Sequence, residues 1–246
     1  MRISLHNESS VAVAALPAGS ADLIVVHPPW GVHTFSSSRA TDNFAIGSEF
    51  HSVICAAREV LHPEGVLIVG VPEIIRESNT LLFCPQAVEA TMANLNLHLD
   101  HVDFWLKVSA GGLHAGCRWK DSKCDKIVAH SILEWLMVFR NQRIKSWNRG
   151  RIMAFPIERD PVHPAPWPYK LGLELVTNYS RPNAHVVDLF MGRGTIARAC
   201  ASLGRRFTGF ETRQEYFSRA QSYLKDNISF PTSETVRTVS SLNREA

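Results

Sequence analysis

Ten residues constrain this chain more than any others: Val186-Val187-Asp188-Leu189-Phe190-Met191-Gly192-Arg193-Gly194-Thr195. A short apolar run leads into a glycine turn, and the turn opens a helix predicted over 195–202. Glycine takes backbone conformations closed to other residues, so a ligand can approach bare backbone there. The N–H groups and Thr195 at the helix start can bond that ligand. The next predicted strand, 207–211, ends at Glu211, where a carboxylate suits a ribose diol. Strand, glycine turn, helix, strand and acid together read as a nucleoside site in an α/β domain. A dinucleotide site usually has a third glycine. Ala197 holds that position, so glycine count alone leaves a nicotinamide dinucleotide open.

A second stretch, Val25-Val26-His27-Pro28-Pro29-Trp30, lies far earlier in the chain. The apolar run from Asp22 to Val26 reads as a buried parallel strand. Pro28 and Pro29 end it, because neither can donate to a sheet ladder. The strand thus gives way to a rigid loop tipped by an aromatic side chain able to lie against a flat base. A helix over 49–61, a Pro-Glu-Gly turn and a strand over 66–71 continue a βαβ rhythm. A helix is predicted over 85–95, a strand over 97–108, and a strand or short helix over 131–139. Further helices are predicted over 169–179 and 214–225, and no internal repeat is present.

At 246 residues the chain suits one large α/β domain with insertions. The predicted division is one domain over 1–228, with a catalytic half at 1–108 and a cofactor half at 163–228. Basic insertions are expected at about 109–128 and 141–160, and a flexible Ser/Thr-rich tail at 229–246. Apolar runs such as Val66 to Val71 are too short to cross a bilayer. Five scattered cysteines and the lack of a signal-peptide core predict free thiols in a reducing compartment, the cytoplasm. The window 107–151 holds ten basic and three acidic residues, a local +7 in a chain of net +3. With Trp119 and Trp147 among those charges, a phosphate-contacting face is expected. Its candidates are Arg118, Lys120, Lys123, Arg140, Arg143, Lys145, Arg149 and Arg151. The alternative is a solvated basic surface.

The run His163-Pro164-Ala165-Pro166-Trp167-Pro168, the predicted helix after it, Asp188 to Thr195, Gly204 to Glu211, and Tyr216 with Ala220 form a combination. It closely resembles the C-terminal half of the β-group DNA amino-methyltransferases, and the likeness extends over about 3–30, 47–108, 129–140 and 155–225. Those enzymes use S-adenosyl-L-methionine to methylate adenine N6 or cytosine N4. Their Asp/Asn/Ser-Pro-Pro-aromatic motif precedes the cofactor motif, as His27 to Trp30 does here. The resemblance implies a Rossmann-like fold with a mostly parallel twisted sheet flanked by helices and a circularly permuted motif order. It also implies DNA methylation of the restriction–modification kind, although nothing in the sequence points to a partner nuclease. By analogy Glu8, Lys170, Asp188, Phe190, Gly192, Gly194, Thr195 and Glu211 line the cofactor. The family commonly has Gly-Asp where this chain has Asn7-Glu8, so Glu8 would accept from the cofactor adenine amine.

The expected chemistry explains the proline loop. An exocyclic base amine is a poor nucleophile because its lone pair is delocalised into the ring. Two acceptors on its hydrogens expose that lone pair: the first motif residue and the carbonyl of Pro28. Pro28 and Pro29 hold both rigid, and Trp30 stacks on the base once it is flipped from the duplex. His27 replaces the expected Asp, Asn or Ser. A neutral imidazole has one acceptor nitrogen, whereas a protonated one only donates. Activity is therefore expected to fall at acidic pH. The alternative is a catalytically impaired subunit that binds cofactor or nucleic acid beside an active partner.

Sequence reading in the resembling family lies in a variable region, here short and basic. Double-stranded DNA is the expected partner, with relaxed or short specificity, or help from a second copy or a different subunit; RNA stays open as an alternative. Phosphate contacts of this kind give salt-sensitive affinity with little sequence information. His114, Cys117, Cys124 and His130 lack a Cys-x-x-Cys knuckle and read as ordinary loop residues, so no metal is expected.

Overall fold

The computed structural model describes residues 2–29, 35–36, 45–46, 48–72, 74–77, 80–109, 112–113, 118–120, 127–129, 132–142, 150–164, 166–227 and 236–240. Nine strands form its main path: β1 (Ile3–Asn7), β2 (Ala21–Val26), β3 (Leu61–Pro72), β4 (His98–Ser109), β5 (Leu133–Arg140), β6 (Ile152–Pro156), β7 (His185–Asp188), β8 (Arg206–Phe210) and β9 (Val236–Ser240). Five helices accompany them: α1 (Ser48–Val60), α2 (Cys84–Asn94), α3 (Tyr169–Tyr179), α4 (Thr195–Leu203) and α5 (Gln214–Asn227). The spatial order is β6-β4-β5-β3-β2-β7-β8-β1-β9, and a two-residue strand at Gly112–Leu113 pairs with β4 as the sheet's tenth. β5 alone on this path runs against its neighbours, antiparallel to β3 and β4; every other adjacent pair is parallel.

Strand residues alternate between faces, and the core records that period. Ile24 and Val26 of β2, Leu67 and Val69 of β3, and Met137 and Phe139 of β5 pack with Phe50, Ile54, Val88 and Met92 of α1 and α2. Leu23 and Val25, Val66 and Ile68, and Leu136 and Val138 pack on the other face with Leu171, Ile196, Phe217 and Leu224 of α3, α4 and α5. Both faces are therefore covered, which is why the central strands are continuous apolar runs.

Three differences from the sequence reading have local causes. The region expected to stop after α1 as a Pro-Glu-Gly turn is already strand, because β3 starts at Leu61. The basic insertion at 141–160 contains β6, an edge strand parallel to β4. Val236–Ser240, expected in the tail, instead lies parallel to β1 as the outermost strand on that side. Its Val-Arg-Thr-Val-Ser sequence has the β-branched content that favours strand pairing. No helix among the described residues is long and apolar enough to cross a membrane.

Candidate active site at the carboxyl edge of the sheet

Parallel strands deliver the loops at their carboxyl ends to one edge, the usual ligand edge of an open α/β sheet. β2 delivers His27 there, β7 delivers the glycine turn, β8 delivers Glu211 and β1 delivers Glu8. β2 and β7 are neighbours with Val25 opposite Asp188, and Leu189 N–H donates to the Val25 carbonyl at 3.0 Å. The proline loop and the glycine turn, far apart in sequence, therefore leave the sheet side by side.

The glycine turn is shaped for close approach. Gly192 and Gly194 have φ of +50° and +85°. A Cβ on Gly192 would lie 2.7 Å from Nε2 of His163, so a side chain there would collide with the His-Pro-Ala-Pro loop. Gly192 N–H donates to Glu211 Oε2 at 3.1 Å, and Arg213 N–H to Glu211 Oε1 at 2.8 Å. Burial raises the Glu211 carboxyl above its ordinary range despite these bonds. Asp188 is 4% exposed and accepts from Phe190 N–H at 3.1 Å. Burial, with some repulsion from Glu211, pushes its pKa up to about 7. No cation forms an ion pair with either acid among the described residues.

Glu8 is half-buried, with Oε1 at 3.0 Å from His6 Nδ1. Asn7 Nδ2 donates to the Glu211 carbonyl at 2.8 Å and so ties the end of β1 to the end of β8. Phe190 is partly buried, and Lys170 is exposed in the first turn of α3. Thr195 is buried, and its hydroxyl donates to the Trp167 carbonyl at 3.0 Å.

A buried ionic clamp holds the 157–168 loop over the glycine turn. The Arg193 side chain, 4% exposed, pairs with Glu158 and, at 3.5 Å, with Asp160, and also donates to the Trp167 carbonyl. Asp160 accepts from Val162 N–H and His163 N–H at 3.0 Å each and pairs with Arg219 of α5 at 2.9 Å. Glu158 accepts from Tyr169 N–H at 2.8 Å, capping the start of α3. His163 packs against Tyr216 with ring centroids 4.7 Å apart. Burial first, then repulsion from His27, lowers the His163 pKa to about 4, so this ring is neutral at pH 7.

His27 has partners that the sequence did not reveal. Its ring stacks on Trp167 at 4.6 Å, and its Nε2 lies 3.1 Å from Oε1 of Glu134 on β5. Trp167 Nε1 donates to the same oxygen at 2.6 Å, and Lys107 of β4 pairs with Oε2 at 3.1 Å. β3 lies between β2 and β5, and its Gly70 makes this reach possible. A Cβ there would lie 2.3 Å from Trp167 and 3.0 Å from His27. Glu134 and Gly70 carried no sequence signal of their own.

The expected phosphate contacts fare differently. Arg140 lies at the far end of β5 from Glu134, six residues and roughly 20 Å along the strand. It pairs with Asp100 at 3.4 Å. Arg151 pairs with the fully buried Asp103 at 3.2 Å and lies over the Tyr179 ring. Arg140 thus stands at the edge of the sheet away from His27, and Arg151 is held by an internal carboxylate while its side chain stays 42% exposed. Trp30, Lys123, Arg143, Lys145 and Arg149 lie outside the described residues, as do the side chains of Arg118 and Lys120. His114, Cys117, Cys124 and His130 lie outside them too, and no metal-binding cluster occurs among the described residues.

Residues 118–222 match the family described as DNA methylase, the N6/N4 methyltransferases. The Type II methyltransferase M.BglII of Bacillus subtilis is 22% identical over 90% of this chain and 69% of its own length. The Thermus thermophilus protein TTHA0409, described as a DNA modification methylase and solved in complex with S-adenosyl-L-methionine, superposes with a TM-score of 0.69. That match has 19% identity and covers 97% of this chain and 98% of the other. The cytosine-N4-specific PvuII DNA methyltransferase superposes at 0.68, with 16% identity over 93% of this chain and 89% of its own. The protein has the mixed α/β methyltransferase fold, and in matched family, relative and fold it is similar to the DNA amino-methyltransferases.

Proposed function

We propose that this protein transfers a methyl group from S-adenosyl-L-methionine to an exocyclic amine of a DNA base, with adenine N6 as the first expectation and cytosine N4 as the second. The observation that carries this reading is the adjacency of the His27-Pro28-Pro29 loop and the Gly192–Gly194 turn on neighbouring strands β2 and β7. A methyl donor seated on one would face an amine held by the other.

The glycine turn and its neighbours suit that cofactor. Gly192 leaves open backbone where a Cβ would strike His163. Burial disfavours the charge of Asp188 and, despite the nearby Arg213, of Glu211, so ligand hydroxyls and an ammonium group would relieve them. Glu211 would take the ribose diol, Asp188 and Glu8 other donor groups, and Phe190 a flat face, while the N–H groups at the start of α4 meet the carboxylate end. A neutral His163 adds no positive charge beside a sulfonium. When bound, the cofactor supplies an electrophilic methyl. The chain's own part is to hold the amine: the Pro28 carbonyl accepts one hydrogen bond and His27 a second, leaving the nitrogen lone pair free.

Purified protein, labelled cofactor and duplex DNA test the reading. Methyl transfer is expected, and mass spectrometry of the digested nucleosides names the base. Cofactor binding without transfer across varied DNAs and pH values would instead support the impaired-subunit alternative, and RNA methylated in place of DNA would change the substrate.

A further inference from the structure

His27 departs from an Asp, Asn or Ser motif position, but it does not stand there alone. The side chains of His27, Gly70 and Glu134 belong to the sheet face that carries Val25, Ile68 and Leu136, under α3 and α4. Glu134 is 5% exposed and has every neighbour an ionised carboxylate requires. Trp167 Nε1 and His27 Nε2 meet one oxygen and Lys107 Nζ the other. Burial alone would raise its pKa. The charge of His27 whenever its ring is protonated, the Lys107 ammonium, and hydrogen bonds from His27 and Trp167 overcome that and hold the carboxyl well below the usual range.

An ionised carboxylate has no hydrogen to give. The hydrogen in the 3.1 Å contact with Glu134 is therefore on Nε2 of His27. A neutral ring with hydrogen on Nε2 carries its lone pair on Nδ1. Stacking on Trp167 and the close floor at Gly70 fix the plane of the ring.

We propose that Glu134 is a positioning residue that holds His27 as the Nε2–H tautomer, making Nδ1 the acceptor for the base amine and then for its proton. The inference rests on the methyltransferase reading above. When the amine nitrogen bonds to the methyl carbon, the carbon–sulfur bond breaks with its electron pair going to sulfur. The nitrogen then holds a positive charge and one hydrogen too many. Nδ1 takes that hydrogen, leaving a neutral methylamine and an imidazolium whose charge the Glu134 carboxylate stabilises. Release of the proton to water restores the ring. The charged and titratable groups facing His27 are Glu134 from β5, Lys107 from β4 through Glu134, and His163 from the 157–168 loop. The pairing gives a histidine the anionic support that a carboxylate motif residue would carry itself.

The first test needs neither DNA nor cofactor. Nitrogen-15 histidine spectra of the whole protein at pH 8, with His27 assigned by loss of its signal in His27→Gln, are expected to show the Nε2–H tautomer. An Nδ1–H tautomer or a doubly protonated ring overturns the proposal. In Glu134→Gln, kcat is expected to fall about 10²-fold, with cofactor Kd and KM for DNA within twofold of the parent. An unchanged kcat in a variant that melts cooperatively overturns it as well. Should that variant not fold, the spectrum of the unaltered protein still decides. An enzyme that methylates DNA with the other tautomer would retain the proposed function and lose only this arrangement. A correct tautomer with no transfer would do the reverse.

Discussion

Asp188 is a buried acid whose pKa rises from its ordinary 3.8 to about 7, first by burial and then by repulsion from Glu211. Between those two values the folded protein keeps a proton that the unfolded chain has released. Stability from this group is therefore greatest at acidic pH and falls as pH rises toward 7, by at most on the order of 4 kcal/mol. Asp188→Asn keeps an acceptor for Phe190 N–H and removes the titration. The melting temperature at pH 8 is expected to rise by several degrees and to lose part of its pH dependence, while calorimetry finds cofactor bound at least tenfold more weakly. Gly192 makes the opposite trade. Alanine there must adopt φ of +50° and meet His163, a cost of about 1–2 kcal/mol. Gly192→Ala should both melt earlier and bind cofactor more weakly; unimpaired binding would exclude this turn from the cofactor site. At His27, replacement by Asp introduces a residue of the resembling motif but places a second carboxylate beside Glu134. His27→Ala is expected to lower the transfer rate by two orders of magnitude or more.

At the scale of elements, sequence and structure agree best where the signal is local. The helix expected over 169–179 is α3, residue for residue, because its apolar spacing and the preceding Pro168 are contained in one short window. The glycine turn and Glu211 were legible for the same reason: strand, turn and helix come in order along the chain, and β7 and β8 pair directly. Glu134 was not legible. It lies in an apolar strand whose partners, Pro72 in β3 and Trp105 in β4, become neighbours only through antiparallel pairing across long connections. Its meeting with His27 further requires that β3 carry a glycine at the point where the two side chains pass. β9 was missed because a strand at the sheet edge depends on β1 accepting it, which a Ser/Thr-rich sequence does not announce. Gly70→Ala tests the crossing. Its Cβ would overlap Trp167, so a loss of about 1–3 kcal/mol in stability is expected from overpacking, read by denaturant titration. The His27–Glu134 pair should open with it, and kcat should fall more than the affinity for cofactor. Wild-type kcat in a folded Gly70→Ala protein would show that the ring does not need this register.

Over the whole molecule, the basic window of the sequence divides once the sheet is assembled. Lys107 belongs to the site, as the counter-charge of Glu134. Arg140 is held by Asp100 at the opposite edge, and Arg151 by Asp103 beneath Tyr179. Of the other candidates for a phosphate-contacting face, Arg118, Lys120 and Lys123 follow β4, which ends on the side of Glu134, whereas Arg143, Lys145 and Arg149 follow β5, which ends at Arg140. Each residue that neutralises one phosphate contributes close to one unit to the slope of log affinity against log salt. Binding of duplex DNA measured between about 50 and 200 mM salt is therefore expected to weaken steeply. Lys120→Gln should flatten the slope by about one unit and weaken binding evenly across sequences. Arg140→Gln should leave the slope unchanged while lowering stability, since it strips a partner from a buried Asp100 at the far edge. A slope that falls with Arg140→Gln and not with Lys120→Gln would mean that DNA approaches the edge away from His27, and the amine-transfer geometry would fail with it.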